Sequence, residues 1–70
     1  MQNYLTIFIN GEPFHCESSM SLMNVLLYLS VNIDKVVVEY NHQIVDRKSL
    51  GFLFLQQHDS IEIITIVGGG

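Results

Sequence analysis

The last twelve residues carry the pattern around which the fold is organised, and they read Asp59-Ser60-Ile61-Glu62-Ile63-Ile64-Thr65-Ile66-Val67-Gly68-Gly69-Gly70. The segment from Ile61 to Val67 is rich in β-branched residues, which favour a pleated strand. Three glycines follow it directly, and because glycine has no Cβ such a tail can thread a narrow channel. The pattern predicts a strand that presents the Gly70 carboxylate to another protein's active site, with Gly68 and Gly69 giving it reach. A frayed terminus is the alternative, since chain ends are commonly disordered.

The totals for the whole chain limit the classes of protein to which it can belong. Seventy residues make one domain, and 49% hydrophobic residues with 14% charged ones exclude a disordered chain. Cys16 is the only cysteine, so no internal disulfide can form. No apolar run approaches the ~20 residues of a membrane helix, and no signal peptide is apparent. The net charge of −4 disfavours nucleic acid and suggests a basic protein surface as partner, with a solvated acidic surface as the alternative.

The first half of the chain predicts two strands and a helix. Tyr4 to Ile9 alternates as a strand does, Asn10-Gly11 is a strong hairpin signal, and Phe14 to Glu17 returns with Phe14 and Cys16 facing inward. Ser21 is placed to cap a helix of about two turns, because its hydroxyl can accept from the first N–H groups. An apolar stripe at helical spacing follows the cap, and it consists of Leu22, Val25, Leu26 and Leu29.

The second half predicts three more strands. Val36 to Tyr40 is the third strand, and Asn41-His42-Gln43 turns the chain into a short fourth strand at Ile44-Val45. Leu50 to Leu55 is expected to form a helical turn and loop that closes one end of the core. The order β-β-α-β-β-β predicts an α+β fold, with one main helix packed on one face of a mixed sheet of four to five strands. Residues 1–67 form this domain and 68–70 form a tail that we expect to be mobile after Val67.

The chain shows no set of residues suited to catalysis or to metal binding. Cys16 and His15 are neighbours on a strand, so their side chains point to opposite faces and do not form a nucleophile–base pair. A lone cysteine on an apolar strand face is usually a small core residue. His42 and His58 lie in turns without the spacing of a metal site.

The remaining carboxylates do not form an acid–base pair either, since Asp59 and Glu62 are interpreted as edge residues that face solvent. A compact scaffold that ends in a glycine carboxylate instead suggests a protein that other enzymes act upon. A carboxylate is a poor acyl donor, but transfer of AMP onto it creates a mixed anhydride that a sulfur nucleophile can attack. The partner would supply ATP and magnesium, so this chain needs no cofactor or metal of its own.

An ordered set of short motifs covers nearly the whole chain. The set comprises Ile9-Asn10-Gly11-Glu12-Pro13, Ser21-Leu22, Val25-Leu26-Leu27, Val36-Val37-Val38-Glu39-Tyr40-Asn41, Ile44-Val45-Asp46-Arg47, Asp59-Ser60-Ile61-Glu62-Ile63 and Val67-Gly68-Gly69-Gly70. In this order it resembles the ubiquitin-like (β-grasp) sulfur carriers, and within them the ThiS group of thiamine biosynthesis. Three loop positions depart from that pattern, because Ser19 and His58 stand where glycine is common and Asp46 where proline is common. His58 is therefore expected to adopt a positive φ angle.

The resemblance implies a β-grasp fold and a sulfur carrier that is not itself an enzyme. It implies that a ThiF-like enzyme adenylates the Gly70 carboxylate with Mg-ATP. Sulfur delivered by a cysteine desulfurase then converts it to a thiocarboxylate, and a ThiG-like thiazole synthase takes that sulfur for the thiazole of thiamine. We expect the free carrier to be a monomer.

The sheet face opposite the helix is the predicted docking surface for these partners. An exposed apolar patch with acidic neighbours suits a protein interface, although ordinary apolar exposure is the alternative. The predicted residues are Phe8, Val37, Ile64 and Ile66, with Glu39 and Glu62 among or beside them.

Three other functions stay open. The small subunit of molybdopterin synthase has the same fold and Gly-Gly chemistry with a different acceptor, although the Asn41 to Arg47 segment favours ThiS. A protein modifier that forms isopeptide bonds and a plain β-grasp interaction module are the others. The lack of a leader fits a bacterial cytoplasm, and the abundance of Ile, Asn, Leu and Ser fits an AT-rich genome such as that of a plastid, which would place the protein in the stroma.

Overall fold

The computed structural model of the protein describes residues 4–67. Its elements, in chain order, are β1 (Tyr4–Ile9), β2 (Glu12–Glu17), α1 (Leu22–Tyr28), a first 3-10 helix (Ile33–Lys35), β3 (Val36–Tyr40), β4 (Gln43–Ile44), a second 3-10 helix (Arg47–Phe52) and β5 (Ser60–Thr65).

The strands form one five-stranded mixed sheet in the order β2-β1-β5-β3-β4. The last strand, β5, lies in the centre, parallel to β1 on one side and antiparallel to β3 on the other. The helix α1 lies on one face of this sheet and buries its apolar stripe there. The predicted α+β architecture, with a mixed sheet and one main helix, is therefore confirmed.

Apolar side chains from the inner face of the sheet and from α1 make the core. Ile7, Val38 and Ile61 are buried on the three central strands, at positions that alternate with outward-facing residues. Leu22, Val25 and Leu26 of α1 and Cys16 of β2 are buried as predicted. Leu50 and Leu55 close one end of this core, also as predicted, from the second 3-10 helix and the loop after it.

The ends of the helix explain one wrong prediction. Ser21 caps α1 and forms a reciprocal pair with Asn24, whose side chain accepts from the Ser21 N–H at 3.0 Å. At the other end Ser30 has a φ of 59°, and the Val31 N–H donates to the Leu26 carbonyl at 3.0 Å. This αL ending stops the helix before Leu29, which is 37% exposed, and packs Val31 against the core instead. Leu29 therefore does not continue the buried stripe.

Three strands differ from their predicted bounds. β2 begins at Glu12 and not at Phe14, because Asn10 and Gly11 form the turn by themselves and Ile9 pairs directly with Glu12. β4 begins one residue earlier than Ile44-Val45, because Asn41 and His42 both have positive φ angles and form a two-residue turn by themselves. β5 begins at Ser60 and ends at Thr65, so the strand is shorter than the β-branched run that extends to Val67. The predicted positive φ of His58 is confirmed at 69°.

Candidate functional site

The three residues predicted to carry the chemistry, Gly68, Gly69 and Gly70, lie outside the described residues, as does the prediction of a mobile tail. The structure does describe the strand that leads to them. After β5 ends, the Ile66 N–H still donates to the Lys35 carbonyl at 2.8 Å, which extends the pairing with the β3 side by one residue. Val67 is fully on the surface, so the chain is held by the sheet as far as Ile66 and leaves it there.

A buried carboxylate fixes the start of β5. Asp59 is 7% exposed and accepts hydrogen bonds from the Tyr40 hydroxyl, from the Gln56 N–H at 2.8 Å and from the Asn41 side-chain amide at 3.2 Å. The interpretation of Asp59 as a solvent-facing edge residue is therefore wrong. Its neighbours in the chain give no sign of burial, because the three donors come from the β3–β4 turn and from the loop before β5. The carboxylate joins these two segments at the point where the tail-bearing strand begins.

Two turn asparagines, which sequence reasoning used only as turn signals, hold β5 along its length. The Asn41 side-chain oxygen accepts from the Ser60 N–H at 2.8 Å. The Asn10 side chain accepts from the Ile63 N–H at 2.7 Å and donates to the Ile63 carbonyl at 3.3 Å. Asn10 thus replaces the backbone partner that β5 loses where β1 ends, since β1 pairs with β5 only through Ile9 and the residue before it.

The pKa of Tyr40 reflects its position against this carboxylate. Burial, together with the hydrogen bond to Asp59 and the negative charge of that carboxylate, raises the pKa of the Tyr40 hydroxyl to about 12, although the hydrogen bond with Asn41 acts in the opposite direction. The hydroxyl is therefore a neutral donor at physiological pH. This contact keeps the β3–β4 turn closed against the start of β5.

The four apolar residues predicted for docking do share the sheet face opposite α1. Val37 pairs with Ile64 across β3 and β5, so their side chains lie on one face. Ile64 is 47% exposed and Ile66 is 54% exposed, whereas Phe8 and Val37 are half-buried. We call this surface the outer face, and it carries Phe8, Val37, Ile44, Ile64 and Ile66. Ile44 was not among the predicted docking residues; it is 73% exposed on this face, because it pairs with Glu39 of β3.

A pair of carboxylates lies in the middle of the outer face. Glu39 and Glu62 are direct partners in the β3–β5 register, and both are half-buried. The salt bridge found among residues 4–67 joins Arg47 to Asp34 at 2.8 Å, so no described cation pairs with either glutamate. Glu62 lies beside the apolar patch on the central strand β5, so its interpretation as an edge residue is wrong. The structure leaves the docking role of the whole face as a prediction.

Cys16 and His15, the other side chains considered for chemistry, make contacts that are typical of structural residues. Cys16 is buried, and burial raises the pKa of its thiol, which keeps it protonated at neutral pH. His15 lies on the opposite side of β2, where its Nδ1 is 3.0 Å from the Thr6 hydroxyl. Within residues 4–67 no three His, Cys, Asp or Glu side chains come together as a metal site would need. No helix of the described chain has the length and apolar character to cross a membrane.

Comparison with known proteins gives consistent results. The model of the ThiS family matches residues 7–70. The ycf40 protein of Porphyra purpurea is 39% identical over 66 residues, which make up 94% of this chain and 93% of that protein. A thiazole synthase of Magnetococcus marinus is 38% identical over 66 residues, which are 94% of this chain but 20% of the synthase.

A solved structure agrees with the fold. The crystal structure of a thiamine biosynthesis protein (ThiS) from Geobacter metallireducens is similar to this chain with a TM-score of 0.82 and 25% sequence identity. The similarity covers 94% of this chain and 100% of that one. The predicted β-grasp arrangement is confirmed by this likeness.

Proposed function

This chain belongs to the ThiS family, the small sulfur carriers of thiamine biosynthesis, and on that premise we propose that its Gly70 carboxylate is the group that carries the sulfur. Family membership confirms the resemblance seen in the sequence and the prediction of a carrier rather than a catalyst. The observation that supports Gly70 most directly is that the family match extends through the last glycine.

The chemistry that we propose follows from the poor reactivity of a carboxylate. A ThiF-like enzyme uses Mg-ATP to transfer AMP to the Gly70 carboxylate, and pyrophosphate leaves. The outer sulfur of a persulfide, formed by a cysteine desulfurase, attacks the activated carbonyl and AMP leaves, which gives an acyl disulfide. A thiol then attacks the other sulfur of this disulfide, so that a new disulfide forms and the thiocarboxylate is released. The tail glycines serve this step because a chain without Cβ atoms can enter a narrow active site.

The structure supports a carrier that presents its tail from a rigid base. β5 is central in the sheet, and side chains of Asn10, Asn41 and Asp59 hold its backbone or its starting point. Binding a partner costs less ordering entropy when the segment before the tail is already fixed. The segment up to Ile66 therefore adds little to the ordering entropy that partner binding costs.

A thiazole synthase is the acceptor that we propose. The Magnetococcus marinus protein, which is named thiazole synthase, contains a stretch similar to nearly all of this chain within one fifth of its length. A carrier-like segment joined to a thiazole synthase in one polypeptide supports a working association between the two. For this chain the association would form between separate proteins.

The outer face is the docking surface that we propose for the activating enzyme and for the synthase. It adjoins the tail, since Ile64 and Ile66 belong to the segment that leads into it, and it combines apolar side chains with two carboxylates. Ile64→Asp should therefore weaken adenylation strongly while the fold persists, because the side chain is already half-exposed. Leu27→Asp is the matched control, as Leu27 is an exposed apolar residue of α1 on the other side of the molecule. Equal activity of the two variants would refute the docking role.

For the compartment, we propose the plastid stroma in preference to a bacterial cytoplasm. A relative of nearly the same length, ycf40, comes from the red alga Porphyra purpurea. This supports the composition argument made from the sequence. Fractionation of the source cells followed by detection of the protein tests this location.

The decisive experiment is the intact mass of the chain after incubation with a ThiF-like enzyme, Mg-ATP, a cysteine desulfurase and cysteine. We expect the mass increase of one oxygen replaced by sulfur, located at Gly70 by fragmentation. A chain with one residue appended after Gly70 is the control and should stay unmodified. Transfer of the sulfur to a thiazole synthase, and not to the large subunit of molybdopterin synthase, would then identify the acceptor. A chain that forms neither adenylate nor thiocarboxylate would instead be a β-grasp interaction module.

A further inference from the structure

The edge of the sheet at β2 presents backbone groups that are not paired. β2 pairs only with β1 in this sheet. The register set by the Asn10-Gly11 turn directs the backbone N–H groups of Phe14 and Cys16 toward β1. The alternate residues His15 and Glu17 therefore direct their N–H groups away from the sheet. No acceptor for these two N–H groups is found among residues 4–67. Such an edge is a template for one more strand.

A groove of about 270 Å³ runs beside this edge, between β2 and α1. The Phe14 and Tyr28 rings meet edge-on with their centroids 6.0 Å apart, and the Tyr28 ring is exposed. Cys16 is buried in the floor, and Met20 lies where the chain passes from β2 to α1. Among residues 4–67, the groove is lined by Tyr4, Phe14, His15, Cys16, Glu17, Met20 and Tyr28. The groove is thus mainly apolar and aromatic, and its polar side is the open edge of β2.

The charge around the groove has one sign. The chain has no lysine or arginine before Lys35, and Glu12 and Glu17 are both exposed on β2. The three cations of the protein belong to the two 3-10 helices at the other side of the sheet. A ligand of this groove that carries a positive charge would therefore meet the Glu17 carboxylate, and none of the described residues that line the groove is a lysine or an arginine.

We propose that the β2 edge and this groove bind an extended segment of a partner protein as a sixth strand. The segment accepts hydrogen bonds from the N–H groups of His15 and Glu17 and places one apolar side chain against Phe14 and Tyr28. A lysine or arginine next to that side chain pairs with Glu17. A second copy of this chain is a poor occupant, because its own β2 would bring further carboxylates to the same edge. Pro13, which has no N–H, limits the added strand to a few residues.

This surface is separate from the outer face and from the tail. In the parallel pairing of β1 and β5, Phe8 stands opposite Ser60, so Tyr4 lies at the end of the sheet opposite to Val67. A peptide in the groove would therefore leave the tail and the outer face accessible. The carrier could be held by one protein through β2 while its tail lies in the active site of another.

The test uses the isotope-labelled full chain and a synthetic peptide, acetyl-Lys-Val-Leu-Val-Lys-amide, followed by NMR. We expect saturable shifts of the His15 and Glu17 amides and slower hydrogen exchange at both, with the signals of the outer face unchanged. A peptide with glutamates in place of both lysines is the matched control and should bind at least fivefold more weakly. Glu17→Gln should weaken binding of the lysine peptide about two- to fivefold, as expected for an exposed ion pair.

A second variant keeps the test independent of charge. Tyr28→Ala removes one wall of the groove from an exposed position, so the fold should persist while binding weakens by about tenfold. The proposal would be overturned by absence of shifts at millimolar peptide or by shifts confined to Ile64 and Ile66. Shifts of the same amides that depend on protein concentration without peptide would also overturn it, since they would identify a second copy as the occupant.

Discussion

Replacing Glu39 by glutamine should make the free protein more stable and a poorer substrate for its activating enzyme. Glu39 and Glu62 face each other across β3 and β5 on the outer face, and no described cation pairs with either. Like charges directly opposite each other in a sheet repel, so the neutral amide removes an unfavourable term from the folded state. The same carboxylate is available to a basic side chain of a docked partner, and glutamine gives a weaker bond to it.

The size of the stability gain follows from the register. The Asn41 N–H donates to the Ser60 carbonyl, and the Ile66 N–H donates to the Lys35 carbonyl. Because hydrogen-bonded pairs alternate along antiparallel strands, Glu39 and Glu62 also form such a pair, with Cα atoms about 5.5 Å apart. Two unit charges about 6 Å apart repel by about 0.7 kcal/mol at the dielectric constant of water and by more near a protein surface, before salt screening. Measured cross-strand pairs lie between roughly 0.2 and 1 kcal/mol. We therefore expect a gain of about 0.5–1 kcal/mol, or a rise of about 2–8 °C in Tm for a domain of this size.

A double-mutant cycle in urea measures this term. Glu39→Gln and Glu62→Gln should each stabilise the chain, and the double variant should gain little beyond either one, because the repulsion disappears with the first change. High salt should reduce the difference between wild type and variant. Adenylation by a ThiF-like enzyme should show a higher KM for both single variants. Glu12→Gln is the matched control, since Glu12 is an exposed strand glutamate that lies at the β2 edge.

Two results would refute this reasoning. Loss of stability in Glu39→Gln would mean that the carboxylate is held by a favourable contact that the register does not reveal. A stabilised variant with an unchanged KM would mean that the pair does not meet a cation of the partner, and that docking uses other residues.

Three further predictions concern the base and the tail. Asp59→Ala should lower the free energy of unfolding in urea by about 2–4 kcal/mol, because the donors of Tyr40 and Gln56 lose their buried acceptor, and an equal stability of wild type and variant would contradict the network. Folding raises the pKa of Tyr40 from 10.0 to about 12, so the stability that its neutral hydroxyl contributes is fully present below pH 10 and is lost between about pH 10 and 12. In urea titrations across that range, the wild type should therefore lose more stability than Tyr40→Phe. Gly69→Val should leave the unfolding curve unchanged and block the sulfur-dependent mass increase at Gly70, and normal turnover would refute the threading argument.

The sequence predicted the elements whose signals are local. β1 and β3 have their predicted bounds, and the Asn10-Gly11 turn and the Ser21 cap are as expected, because strand alternation, turn residues and caps act over a few neighbouring positions. The shift of β4 by one residue has a local cause that a pattern does not reveal. His42 accepts a φ of 72°, and this shortens the turn to two residues.

Burial of polar groups could not be predicted in the same way. Asp59 follows a polar turn and has the sequence context of a surface residue, yet three donors surround it. Tyr40 and Asn41 are close to it only because β3 pairs with β5, across nearly twenty residues of chain. The prediction that Leu29 belongs to the buried stripe of the helix was wrong for a similar reason, since the αL conformation of Ser30 decides whether Leu29 or Val31 faces the core.

The placement of β5 between β1 and β3 has a consequence for biosynthesis. Until β5 has left the ribosome, β1 can pair only with β2, and β3 can pair only with the two-residue β4. The contacts between β1 and β5 join segments more than fifty residues apart, as in the pair of Phe8 and Ser60, so local structure cannot substitute for them. A nascent or truncated chain without β5 exposes two long apolar strand edges, which proteases and chaperones recognise. Folding thus acts as a check on completeness, because the strand that must close the sheet is the one next to the sulfur-carrying tail.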